Sequence, residues 1–393
     1  MWGTGASSTQ CEGAGPASDW WDWERAGHAP ISGDGNGFAT RYAEDFALFA
    51  SLGLVHHRLS IDWSRIEPEE GRRDDAAIAH YRDVLTAAGD AGVMPWVCLH
   101  HFTLPRWFSA RGAFAVNHNR VAWTRHVDFI AEEYGDLVGG WQPVNENNIY
   151  PTLGYRGLGF PPGHRDFAEW AAVTENIHLA TAEAAVRLKQ TGRPVSSIFA
   201  LSTEEPLDRS RATGELIDRL RETNWTIWLD LYRDGVLRVP GRDPVERADL
   251  AGSFDIIGFS FYSTLGVRDG AIDRFPEEAP ISPLGYSIWA PGLDRVLRRL
   301  HEELPGAPLL VAEYGVGTDD DDLRADYLRQ GLAIVNEAIG RGVDVRGLFH
   351  WTGVDNYEWL LGHDVHFGII DRDRNVRPSA KVLQQEAGGA APA

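Results

Sequence analysis

A chain of 393 residues with 43% hydrophobic side chains can bury a large core, so it is either two ordinary domains or one large barrel. Its 57 acidic against 37 basic residues give a formal charge of −20, which repels a phosphate backbone and excludes nucleic acid as a partner. No apolar run approaches the ~20 residues that cross a bilayer, and two distant cysteines, Cys11 and Cys98, make neither a disulfide framework nor a zinc knuckle.

The chain opens without a basic segment followed by an apolar one, so no leader peptide is read from it. A cytoplasmic location is expected, with both thiols buried or reduced and no membrane partner.

In chain order, Trp2–Ala6 is a first short β-type run. Tyr42, Phe46 and Phe49 then fall at i, i+4 and i+7, one apolar stripe of a helix. His56–Ile61 and Val93–His101 are the next strands, and Trp123, Val127, Ile130 and Tyr134 form a second helical stripe. Gly140–Asn145 leads into a helix over Ala168–Gln190, and Val195–Leu201 into one over Gly214–Tyr232. Phe254–Tyr262 precedes Leu293–Leu304, and Pro308–Tyr314 precedes Leu323–Gly340. Val345–Thr352 is the eighth strand. Such alternation implies parallel strands joined by crossover helices, and eight units close into a (β/α)8 TIM barrel. One domain is expected over residues 1–386, with a flexible tail at 387–393. An open doubly wound sheet would need a glycine-rich phosphate loop directly after a strand. Gly3-Thr4-Gly5 lacks the third glycine, and no strand precedes the run from Gly33 to Gly37.

In such barrels the active site lies at the C-terminal ends of the strands. Two glutamates stand there that packing does not need. Glu146 follows the fourth strand in WQPVNEN, and Glu313 ends the seventh in LLVAEYG. A carboxylate ending an apolar strand is desolvated, so it must be paired, hydrogen-bonded or shifted in pKa. Buried salt bridges would account for either one alone. As a pair they suit glycosidic cleavage, in which one carboxyl protonates the leaving oxygen and the other, ionised, attacks the anomeric carbon.

The four histidines His56, His57, His100 and His101 look like a metal cluster. Neighbours on a strand face opposite ways, so each pair offers one ligand to a given site, and no metal is expected. The stretch Asp319–Asp322 reads as a solvated loop at the start of a helix, where negative charge is favourable. No Gly-x-Ser-x-Gly elbow occurs, which sets aside a serine esterase.

Eight ordered segments carry a more specific signal. They are WGTGASSTQCEG, HHRLSIDWSRIEPEEG, LHHFTLPRWF, VNEN, GYRGLGFPPG, DIIGFSFYS, VAEYG and HWTGVDNYEWLLGHDVHFGI. Together, and from end to end, they resemble glycoside hydrolase family 1, the β-glucosidase-like group. The resemblance implies an exo-acting retaining β-glycosidase that releases terminal β-D-glucosyl residues, with β-D-galactosyl and β-D-fucosyl as variants, through a covalent glycosyl-enzyme. It implies no cofactor, and a small β-glycoside or short oligosaccharide as the binding partner. It makes Glu146 the acid/base and Glu313 the nucleophile, with Arg58 and Tyr262 beside the nucleophile and Asn145 beside the acid/base. Gln10, His101, Trp351, Glu358 and Trp359 would hold the sugar.

Each role also fits the side chain. Gln10, His101 and Glu358 can hydrogen-bond ring hydroxyls, Trp359 adds an indole N–H, and Trp351 offers a face to a pyranose. Glu358 would repel a 6-phosphate. A retaining reaction calls for carboxyls ~5–5.5 Å apart. Four positions depart from the family pattern: Thr103, Asn147, Ser260 and Tyr314. They are expected near subsite walls, where they would bear on substrate preference. They motivate one alternative, transfer of the glycosyl group to an acceptor other than water. A silent carbohydrate-binding barrel is the alternative from another class, and the presence of both glutamates argues against it.

Overall fold

In the computed structural model, which describes residues 1–389, strands and helices alternate along the whole chain. The strands are β1 (Trp2–Gly5), β2 (His56–Ser60), β3 (Met94–Cys98), β4 (Gly140–Gln142), β5 (Phe199–Ala200), β6 (Ile257–Phe261), β7 (Leu309–Tyr314) and β8 (Val345–Trp351). The helices that follow them in turn are α1 (Phe38–Ser51), α2 (Asp75–Asp90), α3 (Arg120–Tyr134), α4 (Phe167–Leu188), α5, α6 (Pro291–Glu303), α7 (Asp321–Gly340) and α8 (Ala380–Gly389). Helix α5 runs as Arg211–Arg221, passes through a π-helical turn at Glu222–Thr226, and continues as Ile227–Asp234.

All eight strands are parallel neighbours in the order β4-β3-β2-β1-β8-β7-β6-β5. The ring closes between β4 and β5. There Trp141 pairs with Val195, and Ser196 N–H donates to the Trp141 carbonyl at 2.8 Å. The fold is therefore the expected (β/α)8 barrel. Strands covered by helices outside and side chains inside are buried on both faces, which is why β6 and β7 read as continuous apolar runs.

The interior and exterior of the barrel take different side chains. Leu309 and Val311 of β7 join the large core between strands and helices. Leu310 and Ala312 join Trp96, Ile198, Ile256 and Phe349 in a smaller cluster that fills the floor of the barrel. Simple alternation would then send Glu313 outward with Leu309 and Val311. It does not, because the register against β6 slips by one residue: Val311 pairs with Phe259, but Glu313 pairs with Ser260. This bulge leaves Ala312 as the extra residue, turns Glu313 into the lumen and sends Tyr314 out.

The predicted elements recur within a few residues of their expected ends, and α2 is an addition to them. Its buried stripe of Tyr81, Val84, Leu85 and Ala88 has helical spacing but is diluted by alanine and aspartate. Helix α8 is a second addition and a side sheet a third, with strands Thr264–Arg268 and Ala271–Phe275 forming a hairpin that pairs with Glu204–Pro206. Residues 387–389, expected as the start of a tail, are the last turn of α8, and residues 390–393 lie outside the described residues. Cys11 and Cys98 are both buried and unpaired. Among the described residues no helix is long and apolar enough to cross a membrane.

The ends of the chain are joined by a buried ion pair. Arg374, between β8 and α8, donates bidentately to Asp45 of α1 at 2.7 and 2.9 Å, and also to the Asn36 carbonyl at 2.7 Å. Removing one partner of such a pair leaves an uncompensated charge in the core. Arg374→Ala should lose about 3–5 kcal/mol of stability. Chemical denaturation reads this directly, and an unchanged midpoint would contradict it.

Candidate active site

The lumen above the apolar floor is where the strand ends deliver polar side chains. Arg58 lies in the middle of β2 and is fully buried. One terminal nitrogen donates to Glu313 Oε1, and the other to Asn145 Oδ1 at 2.8 Å. Tyr262, just after β6, donates its hydroxyl to Glu313 Oε2. Both oxygens of Glu313 are thereby engaged, one by a cation and one by a phenol. Burial and the charge of Glu313 hold the Tyr262 phenol well above its ordinary value, so it stays a donor.

Glu146 sits in a turn clamped from both sides. Asn145 N–H donates to the His100 carbonyl at 2.9 Å, while Glu146 N–H donates to the Ile198 carbonyl at 2.8 Å. Two residues on, the Asn148 side chain donates to the Ala200 carbonyl at 2.8 Å and accepts from the Ala200 N–H at 2.9 Å. Asn148 thus continues the β4–β5 seam with its amide where the backbone has left the sheet. These ties hold Glu146 at φ +49°, in the left-handed region that a non-glycine residue rarely adopts.

The Glu146 carboxyl accepts a hydrogen bond from the Ser260 hydroxyl. Burial pushes this carboxyl well above the ordinary range, and the neighbouring Glu313 charge pushes it further, against the Ser260 bond and the Arg58 charge. Ser260 is also the register partner of Glu313, so its bond brings the Glu146 carboxyl beside the strand pair that carries Glu313.

The opposite wall is aromatic. The His101 ring stacks at 5.6 Å and 10° on Trp351, and at 6.1 Å and 11° on Trp359. Its Nε2 lies 3.5 Å from Asn145 Nδ2. Burial and then Arg58 hold His101 well below its ordinary value, so the ring is neutral. Trp359, also left-handed at φ +44°, is wedged edge-on against Trp20 at 4.7 Å, with Phe102 and Phe160 beside it. Gln10 lies on the short helix Ser8–Glu12 after β1. It accepts from Ser7 Oγ at 2.7 Å and donates to Glu358 Oε2 at 3.1 Å. Burial raises the Glu358 carboxyl to about 8, with Glu313 and Glu146 adding and hydrogen bonds from Trp351 and Gln10 opposing.

These contacts bring together all ten residues expected at the site, from Gln10 to Trp359. Trp20, Phe102 and Phe160 behind Trp359, and Asn148 as the clip of the Glu146 turn, are additions to the expected site, although Phe102 and Phe160 lie inside the segments LHHFTLPRWF and GYRGLGFPPG. Of the four departures from the family pattern, Tyr314 needs correction. Tyr314 is no subsite wall, because the bulge sends it outward to stack on Tyr327 at 4.5 Å and donate to the Tyr327 carbonyl at 2.8 Å. Thr103 is buried, its hydroxyl 3.3 Å from that of Thr9, where it ties the loop after β3 to the Gln10 helix. Asn147 is buried in the Glu146 turn, and Ser260 touches Glu146 itself. Among the described residues no group of three histidine, cysteine or acidic side chains is placed to hold a metal ion.

Chemically, the lumen holds three carboxyls and one guanidinium. One carboxyl is neutralised by the cation, and the other two favour a proton.

Comparison with known proteins agrees with this geometry. The family model described as Glycosyl hydrolase family 1 matches residues 1–387. A β-galactosidase of Saccharolobus solfataricus is 28% identical over 443 residues, spanning 95% of this chain and 90% of that protein. A coniferin β-glucosidase of Pinus contorta is 27% identical, over 98% of this chain and 90% of that protein. The structure of a β-glycosidase from Pyrococcus horikoshii superimposes with a TM-score of 0.91 at 28% identity, covering 98% of this chain and 93% of that one.

The outward position of Tyr314 has a direct consequence. Tyr314→Phe removes one buried hydrogen bond and should cost about 1 kcal/mol in a denaturation curve. It should leave KM for an aryl β-glucoside unchanged; a several-fold change in KM would return Tyr314 to the substrate wall.

Proposed function

The chain belongs to glycosyl hydrolase family 1 and is a β-glycosidase, and on that premise we propose that Glu313 is its nucleophile and Glu146 its acid/base. The supporting observation is the asymmetry of the two carboxyls. Glu313 is held by Arg58 and Tyr262, whereas Glu146 touches no cation and is pushed towards its protonated form. A nucleophile must be ionised and oriented, and an acid must carry a proton at working pH.

The reaction then runs in two balanced steps. In the first, a Glu313 oxygen bonds to the anomeric carbon while the bond to the glycosidic oxygen breaks, and that oxygen takes the Glu146 proton. In the second, water attacks the anomeric carbon and gives a proton to Glu146, and the ester bond to Glu313 breaks. Esterification removes the negative charge of Glu313, one of the two influences that raise Glu146. The Glu146 pKa therefore falls between the steps, and the group that was an acid becomes a base. Two inversions at one carbon leave the β configuration unchanged.

The substrate follows from the rest of the lumen. Gln10, neutral His101, Glu358 and the Trp359 indole supply donors and acceptors for hydroxyls at the closed end of the sugar. Trp351 offers a flat face, and the bond from Arg58 supports Asn145 as the partner of the 2-hydroxyl. We assign the substrate as a terminal, non-reducing β-D-glucosyl residue on a small aglycone or short oligosaccharide, with β-D-galactosyl and β-D-fucosyl also accepted. Relatives named for galactosyl and for glucosyl substrates match the chain at similar identity, which supports tolerance at C4. Two buried, unpaired thiols fit a reducing, cytoplasmic setting.

The role assignment is tested with nitrophenyl β-glycosides and azide. Glu146→Ala should lose about 10²–10⁴-fold in rate on substrates whose leaving group needs a proton, and azide should restore turnover as the β-glycosyl azide. Glu313→Ala should lose at least as much, and azide should give the α-glycosyl azide. The same anomer from both variants would overturn the assignment.

A further inference from the structure

We infer that Ser260 is a positioning residue for the acid/base, its hydroxyl determining which oxygen of Glu146 carries the transferable proton. This rests on the reading of Glu146 as acid/base and extends it to a residue whose side chain, among the described residues, hydrogen-bonds only to Glu146.

Ser260 is almost wholly buried near the C-terminal end of β6, and its backbone is fixed by pairing with Glu313 on one side and Ala200 on the other. Its Oγ donates to Glu146 Oε1, and among the described residues no other side chain hydrogen-bonds to that carboxyl. A serine has one hydroxyl proton, and here it is spent on Oε1. With Oε1 accepting the serine proton, the proton of the neutral acid is assigned to Oε2. The carboxyl is thereby presented with Oε2 towards the leaving group. In the first step the Oε2–H bond breaks and the proton passes to the glycosidic oxygen, while the serine keeps its own. In the second, Oε2 takes the proton from water, and the hydroxyl stabilises the carboxylate that does so.

Other charges reach Glu146, but none does this. Arg58 from β2 favours the carboxylate, yet its two terminal nitrogens are engaged by Glu313 and Asn145. Glu313 from β7 favours the neutral acid, Glu358 after β8 is itself raised by burial and the other glutamates, and the Tyr262 phenol is committed to Glu313. Ser260 is therefore the group that orients the acid/base by direct contact. It also opposes the upward push of burial, since a donor to the ionised form lowers a carboxyl pKa.

The test compares wild type with Ser260→Ala and Ser260→Thr, each checked by thermal melting. The readout is the pH dependence of kcat/KM on a β-glucoside with a poor leaving group. Activity on such a substrate requires protonated Glu146, so its alkaline limb reports that group. Removing the donor destabilises the carboxylate, and Ser260→Ala should move the limb upward by about one pH unit. It should also slow kcat on a dinitrophenyl glucoside, whose turnover is governed by the base step, by about tenfold. Ser260→Thr, which keeps the hydroxyl, should restore both. Should the alanine variant melt early, Ser260→Cys, similar in size and a weaker donor, is read in the same way. A folded variant whose limb stays at the wild-type position overturns the inference. Glu146→Gln separates this from a failure of the role assignment. An alkaline limb that persists in Glu146→Gln removes Glu146 as the acid. A limb that vanishes there but does not move in Ser260→Ala removes Ser260 alone.

Discussion

The site depends on one buried ion pair. Glu313 stands in a lumen whose floor is tryptophan, phenylalanine and aliphatic side chains, and an ionised carboxyl there needs a cation in contact. Arg58 provides it from the neighbouring side of the barrel. Because guanidinium is a planar fork, the nitrogen not used by Glu313 reaches Asn145, so one side chain orients both Glu313 and the turn carrying Glu146. It is also the one guanidinium among three carboxyls of the pocket. With that charge matched by Glu313, burial leaves Glu146 and Glu358 favouring a proton, and the division of labour between the glutamates follows.

That ion pair forms because β7 breaks its own alternation. The extra residue at Ala312 rotates the strand end so that Glu313 enters the lumen and Tyr314 leaves it. Tyr314 then packs between Phe261 and Tyr327, which anchors the bulge from outside. On the far side of the pocket the chain accepts a comparable cost. Phe102, Glu146 and Trp359 all hold left-handed backbone without being glycine, and each is fixed by hydrogen bonds or packed rings around it. The rigid barrel carries these departures because its eight strands are paired all the way round.

Much of this was legible in the sequence, and the exceptions share a cause. Period and apolar content disclose strands buried on both faces, so all eight were visible, as was the stripe of α1. Glu146 and Glu313 were legible as chemistry, because carboxyls at apolar strand ends have few other reasons to exist, and the other eight site residues came with the resemblance to the family. A one-residue bulge leaves no trace in composition, and so Tyr314, beside the nucleophile in sequence, was placed in the pocket although it faces a helix. Thr103 and Asn148 make contacts between segments far apart in the chain, which no local pattern reports. Ser260 was visible as a departure, but its bond to Glu146 depends on how β4 and β6 come together in space.

The central claim is that Glu313 forms a covalent bond to the sugar. A 2-deoxy-2-fluoro β-glucoside with a dinitrophenyl leaving group should trap that ester, because the fluorine slows its hydrolysis while the leaving group still departs. Mass spectrometry of the intact protein should show one added sugar, and the digest should place it on the peptide containing Glu313. No adduct under conditions of complete inactivation, or an adduct on Glu146 or Glu358, would contradict the account.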